Sequence, residues 1–103
     1  MDPLDAYEKI VNEFEQKPEV EKGKMMSSPG LKYKGKVFAF YHDEQMGFKL
    51  GEEFAPDTYG IEKWGYLSPF KNKPPMRAWF MVPSSESRHW ETLANLALEN
   101  MQD

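Results

Sequence analysis

The chain contains no cysteine, so neither a disulfide nor a zinc-thiolate site is available as a staple, and the fold must be held by packing. That fits a reducing cytosol. Histidine is scarce as well: His42 and His89 stand far apart in sequence, and two such residues make neither a metal signature nor a triad. Glycines 30, 35, 47, 51, 60 and 65 are scattered singly, so no glycine-rich loop offers backbone N–H groups to a phosphate. No Gly-x-Ser-x-Gly elbow occurs; Ser84, Ser85 and Ser87 read as helix caps. The adjacent acids Asp43-Glu44 and Glu52-Glu53 read as exposed turns. These gaps predict a protein with no catalytic constellation, no cofactor and no metal.

Long apolar runs are missing too. No stretch approaches the roughly 20 apolar residues that cross a membrane, and Met1-Asp2-Pro3-Leu4-Asp5 lacks the basic start and apolar core of a secretory signal. A soluble, cytoplasmic protein is expected. The formal charge of −4 disfavours nucleic acid as a partner, since phosphate binding rests on Lys and Arg. Lys17, Lys22, Lys24, Lys32, Lys34 and Lys36 nevertheless fall within twenty positions. They read foremost as edge lysines that block strand addition and maintain solubility, with nucleic-acid binding a weak third reading.

What is present is aromatic. With 103 residues, 40% hydrophobic and 15% aromatic, the chain reads as one folded domain, residues 1–103, with a single modest core. Asp2-Pro3 forms an N-cap and first helical proline, and Leu4, Tyr7, Ile10, Val11 and Phe14 recur at helical spacing, which predicts a helix over 3–16. Pro18 and the polar residues 19–24 end it. Residues 25–33 read as one strand with a bend at Ser28-Pro29-Gly30, followed by a Lys34-Gly35 turn, a strand over 36–41, a turn over 42–45 and a strand over 46–50. Pro56-Asp57 and Gly65 frame a short helix carrying Ile61 and Trp64. Residues 66–70 and 76–82 read as strands, joined by a loop over 71–75. A last helix capped by Ser84 or Ser85 runs to about 101, with Trp90, Leu93, Ala94, Ala97, Leu98 and Met101 as its apolar stripe. The predicted class is α+β, two-layer, in the order α-β(3)-α-β(2)-α around an antiparallel meander.

Three segments together resemble the TfoX N-terminal domain family. They are Met25-Met26-Ser27-Ser28-Pro29-Gly30-Leu31-Lys32-Tyr33-Lys34-Gly35-Lys36-Val37-Phe38-Ala39, Phe48-Lys49-Leu50, and Pro75-Met76-Arg77-Ala78-Trp79-Phe80-Met81-Val82-Pro83. In that family a Met-Phe-Gly segment precedes a Leu-containing strand, a Gly-Lys turn, a Phe-Ala strand, a Lys-Leu strand end and a Pro-Met-x-x-Trp strand ending in Val-Pro. His89-Trp90-Glu91-Thr92-Leu93-Ala94 is similar to the family's last helix. Here Met26-Ser27 stands where Phe-Gly is usual, and the chain ends at Asp103, without the C-terminal domain of full-length TfoX regulators. The resemblance implies a stand-alone bacterial domain acting through other proteins, not a direct switch of competence genes.

Both faces of the predicted sheet are apolar. Strict alternation puts Val37, Ala39 and Tyr41 on one side and Phe38 and Phe40 on the other, and sets Met76, Ala78, Phe80 and Val82 against Trp79 and Met81. Phe38, Phe40, Trp79 and Met81 are therefore candidate contacts for a protein partner or a second copy, making the chain a non-catalytic interaction or regulatory module. The alternatives are that loops and the first helix cover this face, or that a ligand pocket forms near Trp64, Tyr66 and Trp79 with His42 or His89 at its rim.

Overall fold

The computed structural model describes residues 2–25, 27–68 and 74–102. Helix α1, Pro3–Phe14, begins where Asp2 accepts a hydrogen bond from the Leu4 N–H at 3.0 Å and Pro3 supplies the pre-set first φ. It buries Tyr7, Ile10, Val11 and Phe14 of the predicted stripe, whereas Leu4, in the first turn, stays exposed. Four strands follow as a meander: β1, Val20–Met25; β2, Ser28–Tyr33; β3, Lys36–His42; and β4, Gln45–Lys49. A single 3₁₀ turn, Pro56–Tyr59, leads to β5, Gly65–Leu67, and then β6, Met76–Pro83. A second 3₁₀ segment, Ser84–His89, runs into α2, Trp90–Gln102. The six strands form one antiparallel sheet in the order β1-β2-β3-β4-β6-β5, giving an α+β fold.

Several sequence expectations are corrected. The predicted bent strand over 25–33 is instead part of a hairpin: residues 20–24, expected only to end the first helix, form a strand with Met25 that pairs with 28–33 from Val20↔Tyr33 to Met25↔Ser28. This strand escaped detection because only Val20 of the positions facing the helices is apolar; Lys22 and Lys24 occupy the others. The predicted helix carrying Ile61 and Trp64 is confined to Pro56–Tyr59, and Gly60 at φ 76° closes it in the left-handed conformation that favours glycine. Strand β5 stops at Leu67, and the predicted residues 69 and 70 lie outside the described residues, as does most of the 71–75 loop. The terminal α-helix starts at Trp90 rather than at the serines.

Both helices lie on one side of the sheet. Their core combines Phe14, Leu31, Phe38, Met46, Phe48, Phe80, Val82, Trp90 and Leu93, all at most 1% exposed. Tyr41 ties the helices together, stacked on Tyr7 of α1 at 5.2 Å and edge-on to Trp90 of α2 at 6.3 Å. The Trp90 indole donates to the Val82 carbonyl at 3.2 Å, satisfying a polar group that full burial would otherwise penalise. Each such aromatic side chain contributes on the order of 2 kcal/mol by leaving water.

A β-bulge decides what reaches the other side. Leu31 pairs with Ala39 but Lys32 pairs with Val37, so Phe38 is an extra residue in β3. Phe38 and Ala39 consequently both point to the helices, while Val37 and Phe40 point away. Strict alternation had grouped Phe38 with Phe40, and the bulge overturns that grouping.

Candidate functional site

The helix-free face carries a small second cluster: Phe40, Leu67 and Trp79, with Met25, Val37 and Met81 packed around them. Phe40 meets Trp79 at 5.5 Å. Three of the four sequence-selected contacts, Phe40, Trp79 and Met81, thus come together, whereas Phe38 packs against Phe14 of α1 at 6.3 Å on the opposite side. The first helix does not cover this face. Even so, Phe40 and Trp79 keep only 2% and 5% of their surface accessible, so what this face offers a partner is its half-buried fringe of Met25, Val37 and Met81.

The alternative pocket does not assemble. Trp64 and Tyr66 both pack on Phe80, each at 5.3 Å, on the helix side, while Trp79 points to the far side. Adjacent residues of a strand face opposite ways, which separates Trp79 from Phe80. Nor do the histidines share a rim. His42 Nδ1 lies 2.9 Å from the Ser28 Oγ across β2 and β3, whereas His89 stands beside Glu86 after β6. A serine–imidazole contact alone lacks the acid that fixes a catalytic tautomer, and none is hydrogen-bonded to His42 among the described residues. Nothing in the sequence signalled this pair, because strand register, and not spacing, makes it.

Glu86 is the one buried acid among the described residues, at 3% exposure. Its carboxylate accepts from the Lys63 N–H at 2.8 Å and the Glu62 N–H at 2.6 Å, and meets the Arg88 guanidinium at 3.0 Å. The Lys63 N–H above all, then the Glu62 N–H and the positive charge of Arg88, hold its carboxyl below the usual value despite burial. Its role is to pin the chain before β5 to the segment after β6. His89 Nε2 is buried beside it at 3.9 Å, without a hydrogen-bond partner among the described residues.

Accessible apolar surface is found elsewhere, in a groove of about 450 Å³ between α1 and the edge strand β1. Leu4, Tyr7, Glu8 and Val11 line it from the helix, at spacings that place them on one face, and Lys22 and Lys24 line it from the strand. Tyr7 and Val11 are buried at its base, and Leu4 is 43% exposed. Burial, with Glu15 and Glu8 nearby, pushes the Tyr7 phenol up to about 12, so it remains neutral at physiological pH.

The lysines do not form one strip. Lys22 and Lys24 lie on the helix side, while Lys32 is on the other face with Glu21 at 3.6 Å. Lys34 pairs with Glu19 at 3.5 Å and Lys22 with Glu15 at 3.9 Å. Lys17 rests over the Phe14 ring.

No helix among the described residues is long and apolar enough to cross a membrane. No family model matches the chain, and neither does any curated protein or solved structure.

Proposed function

We propose that the protein is a cytoplasmic, non-catalytic interaction module, resembling the TfoX N-terminal domains, whose contact surface is the groove between α1 and β1. One observation carries this reading: the groove joins an accessible apolar side chain, Leu4, to an open sheet edge. Recognition surfaces commonly combine these features, since an apolar base gives affinity and backbone or charged groups at the border give orientation. The contact requires no bond to be made or broken. The fringe of Met25, Val37 and Met81 supports a second reading, in which a partner or a second copy contacts the helix-free face around Phe40 and Trp79.

Leu4→Asp and Met81→Asp separate the two. Aspartate in the first turn of a helix is favourable, so Leu4→Asp leaves α1 intact while removing the groove's accessible apolar group. Capture experiments with wild type and both variants, each checked for folding by circular dichroism, should lose the partner with Leu4→Asp alone. Loss with Met81→Asp alone transfers the contact surface to the sheet face; retention by both variants removes both readings.

A further inference from the structure

We infer that the groove's partner is an extended polypeptide segment bearing acidic residues, which adds to the sheet as a further strand beside β1. The inference rests on the reading of the groove as the contact surface.

The two edges of the sheet differ. β5 is three residues long with a register irregularity between Tyr66 and Leu67, and short or bulged edges resist strand addition. β1 has six residues paired without interruption to β2, and no further strand lies beyond it among the described residues. Apart from the Val20 N–H, which donates to the Lys17 carbonyl at 3.4 Å, its outward backbone groups have no backbone partner among the described residues, and α1 faces it across the groove, whose lining also includes Pro29 and Gly30 of β2.

The side chains state which strand fits. In β1 the positions facing the helices are Val20, Lys22 and Lys24; the last two occur where a two-layer fold normally places apolar residues. Inward lysines on an edge deter apolar strands, because an arriving strand must desolvate them. A strand with carboxylates opposite them reverses that penalty, since directly opposed side chains on antiparallel strands are within reach of each other. Lys24 makes no ion pair among the described residues, and the Lys22–Glu15 pair, at 3.9 Å between exposed groups, is readily exchanged. The next position of the same face, opposite Val20, takes an apolar side chain. The pattern recognised is acid, acid, apolar at alternate positions, opposite Lys24, Lys22 and Val20 in turn. Glu8 on the helix wall disfavours further negative charge there, which confines the acids to the strand side.

The probe is the acetylated, amidated peptide Thr-Glu-Thr-Glu-Thr-Leu-Thr, compared with the same peptide carrying Lys for Glu. Binding is followed by amide NMR of the full chain. The acidic peptide should shift Lys22, Gly23 and Lys24 amides together with those of Leu4 and Glu8, and slow solvent exchange along β1. The lysine peptide, or the acidic peptide with Lys24→Glu, should bind at least about tenfold more weakly. Equal perturbation of the groove by both peptides would overturn the acidic-strand inference while leaving the groove as a contact surface. Absence of any perturbation in α1 or β1 with either peptide overturns the inference and counts against the groove itself.

Discussion

The ring of Phe40 in β3 lies directly over the backbone of Gly47 in β4: a Cβ placed on Gly47 would sit 2.4 Å from the ring's Cε1 and 2.8 Å from the Met81 sulfur. The two residues face each other in register, so the bare glycine is what lets the ring settle onto the sheet. Gly47→Ala should cost about 2 kcal/mol in urea denaturation, the usual scale of overpacking. In a Phe40→Leu background the same change should cost less, with a coupling of about 1 kcal/mol. Additive costs would show that the ring and the glycine do not constrain one another.

Glu86 links stability to acid. Its carboxyl is held below the ordinary 4.5, so its contribution is present above that value and is lost as pH falls through the lowered folded value. Glu86→Gln should lower the thermal midpoint at pH 7 by several degrees and leave a shallower acid limb below pH 4.5. Wild-type and variant midpoints that run parallel down to strong acid would remove this role.

Between the helices the sign is opposite. A proton shared with Glu13, then the charge of Glu13, raises the Glu91 carboxyl above 4.5, only partly offset by Lys9. A raised carboxyl stabilises most when protonated, and the benefit disappears as pH rises through the folded value. Glu91→Gln should therefore stabilise at pH 7, by at most about 0.5 kcal/mol because both acids are exposed and screened, and should lose that advantage in acid. An unchanged pH profile would mean the two carboxylates do not interact.

Ser27 enters β2 at φ 73°, the left-handed region that costs an L side chain and suits glycine. Ser27→Gly should raise stability by about 0.5–1 kcal/mol, read from the denaturation midpoint. The same relief is expected at Glu44, φ 62°, in the turn between β3 and β4, where two acids occupy a geometry that glycine favours. A loss of stability at both positions would mean that their side chains make contacts outweighing the strain.

Elements with an apolar period were legible in the sequence. Tyr7, Ile10, Val11 and Phe14 announced α1, and the stripe from Trp90 to Leu98 announced α2. The meander from β2 to β4 followed from dense β-formers separated by the Lys34-Gly35 and Asp43-Glu44 turns. β1 did not follow, because an edge strand beside an incompletely covered sheet needs no alternation, and its two inward lysines imitate a loop. The bulge at Phe38 was equally silent. Pairing register is a relation between strands, and a stretch such as Val37 to Tyr41, apolar throughout, carries no mark of which residue is the extra one. The groove is hidden in the sequence for the same reason as β1, since one of its walls reads as the polar segment that ends the first helix.

Both helices sit on one side of the sheet, and α2 follows every strand in the chain. During synthesis the meander can therefore pair before half of its cover exists. Until α2 emerges, Met46 and Phe48 have only α1 to shield their side of the sheet, and Trp90, the residue that joins α2 to β3 and β6, has not docked. The interval between completing β6 and docking α2 is the one in which a nascent chain is most exposed to aggregation or to chaperone capture.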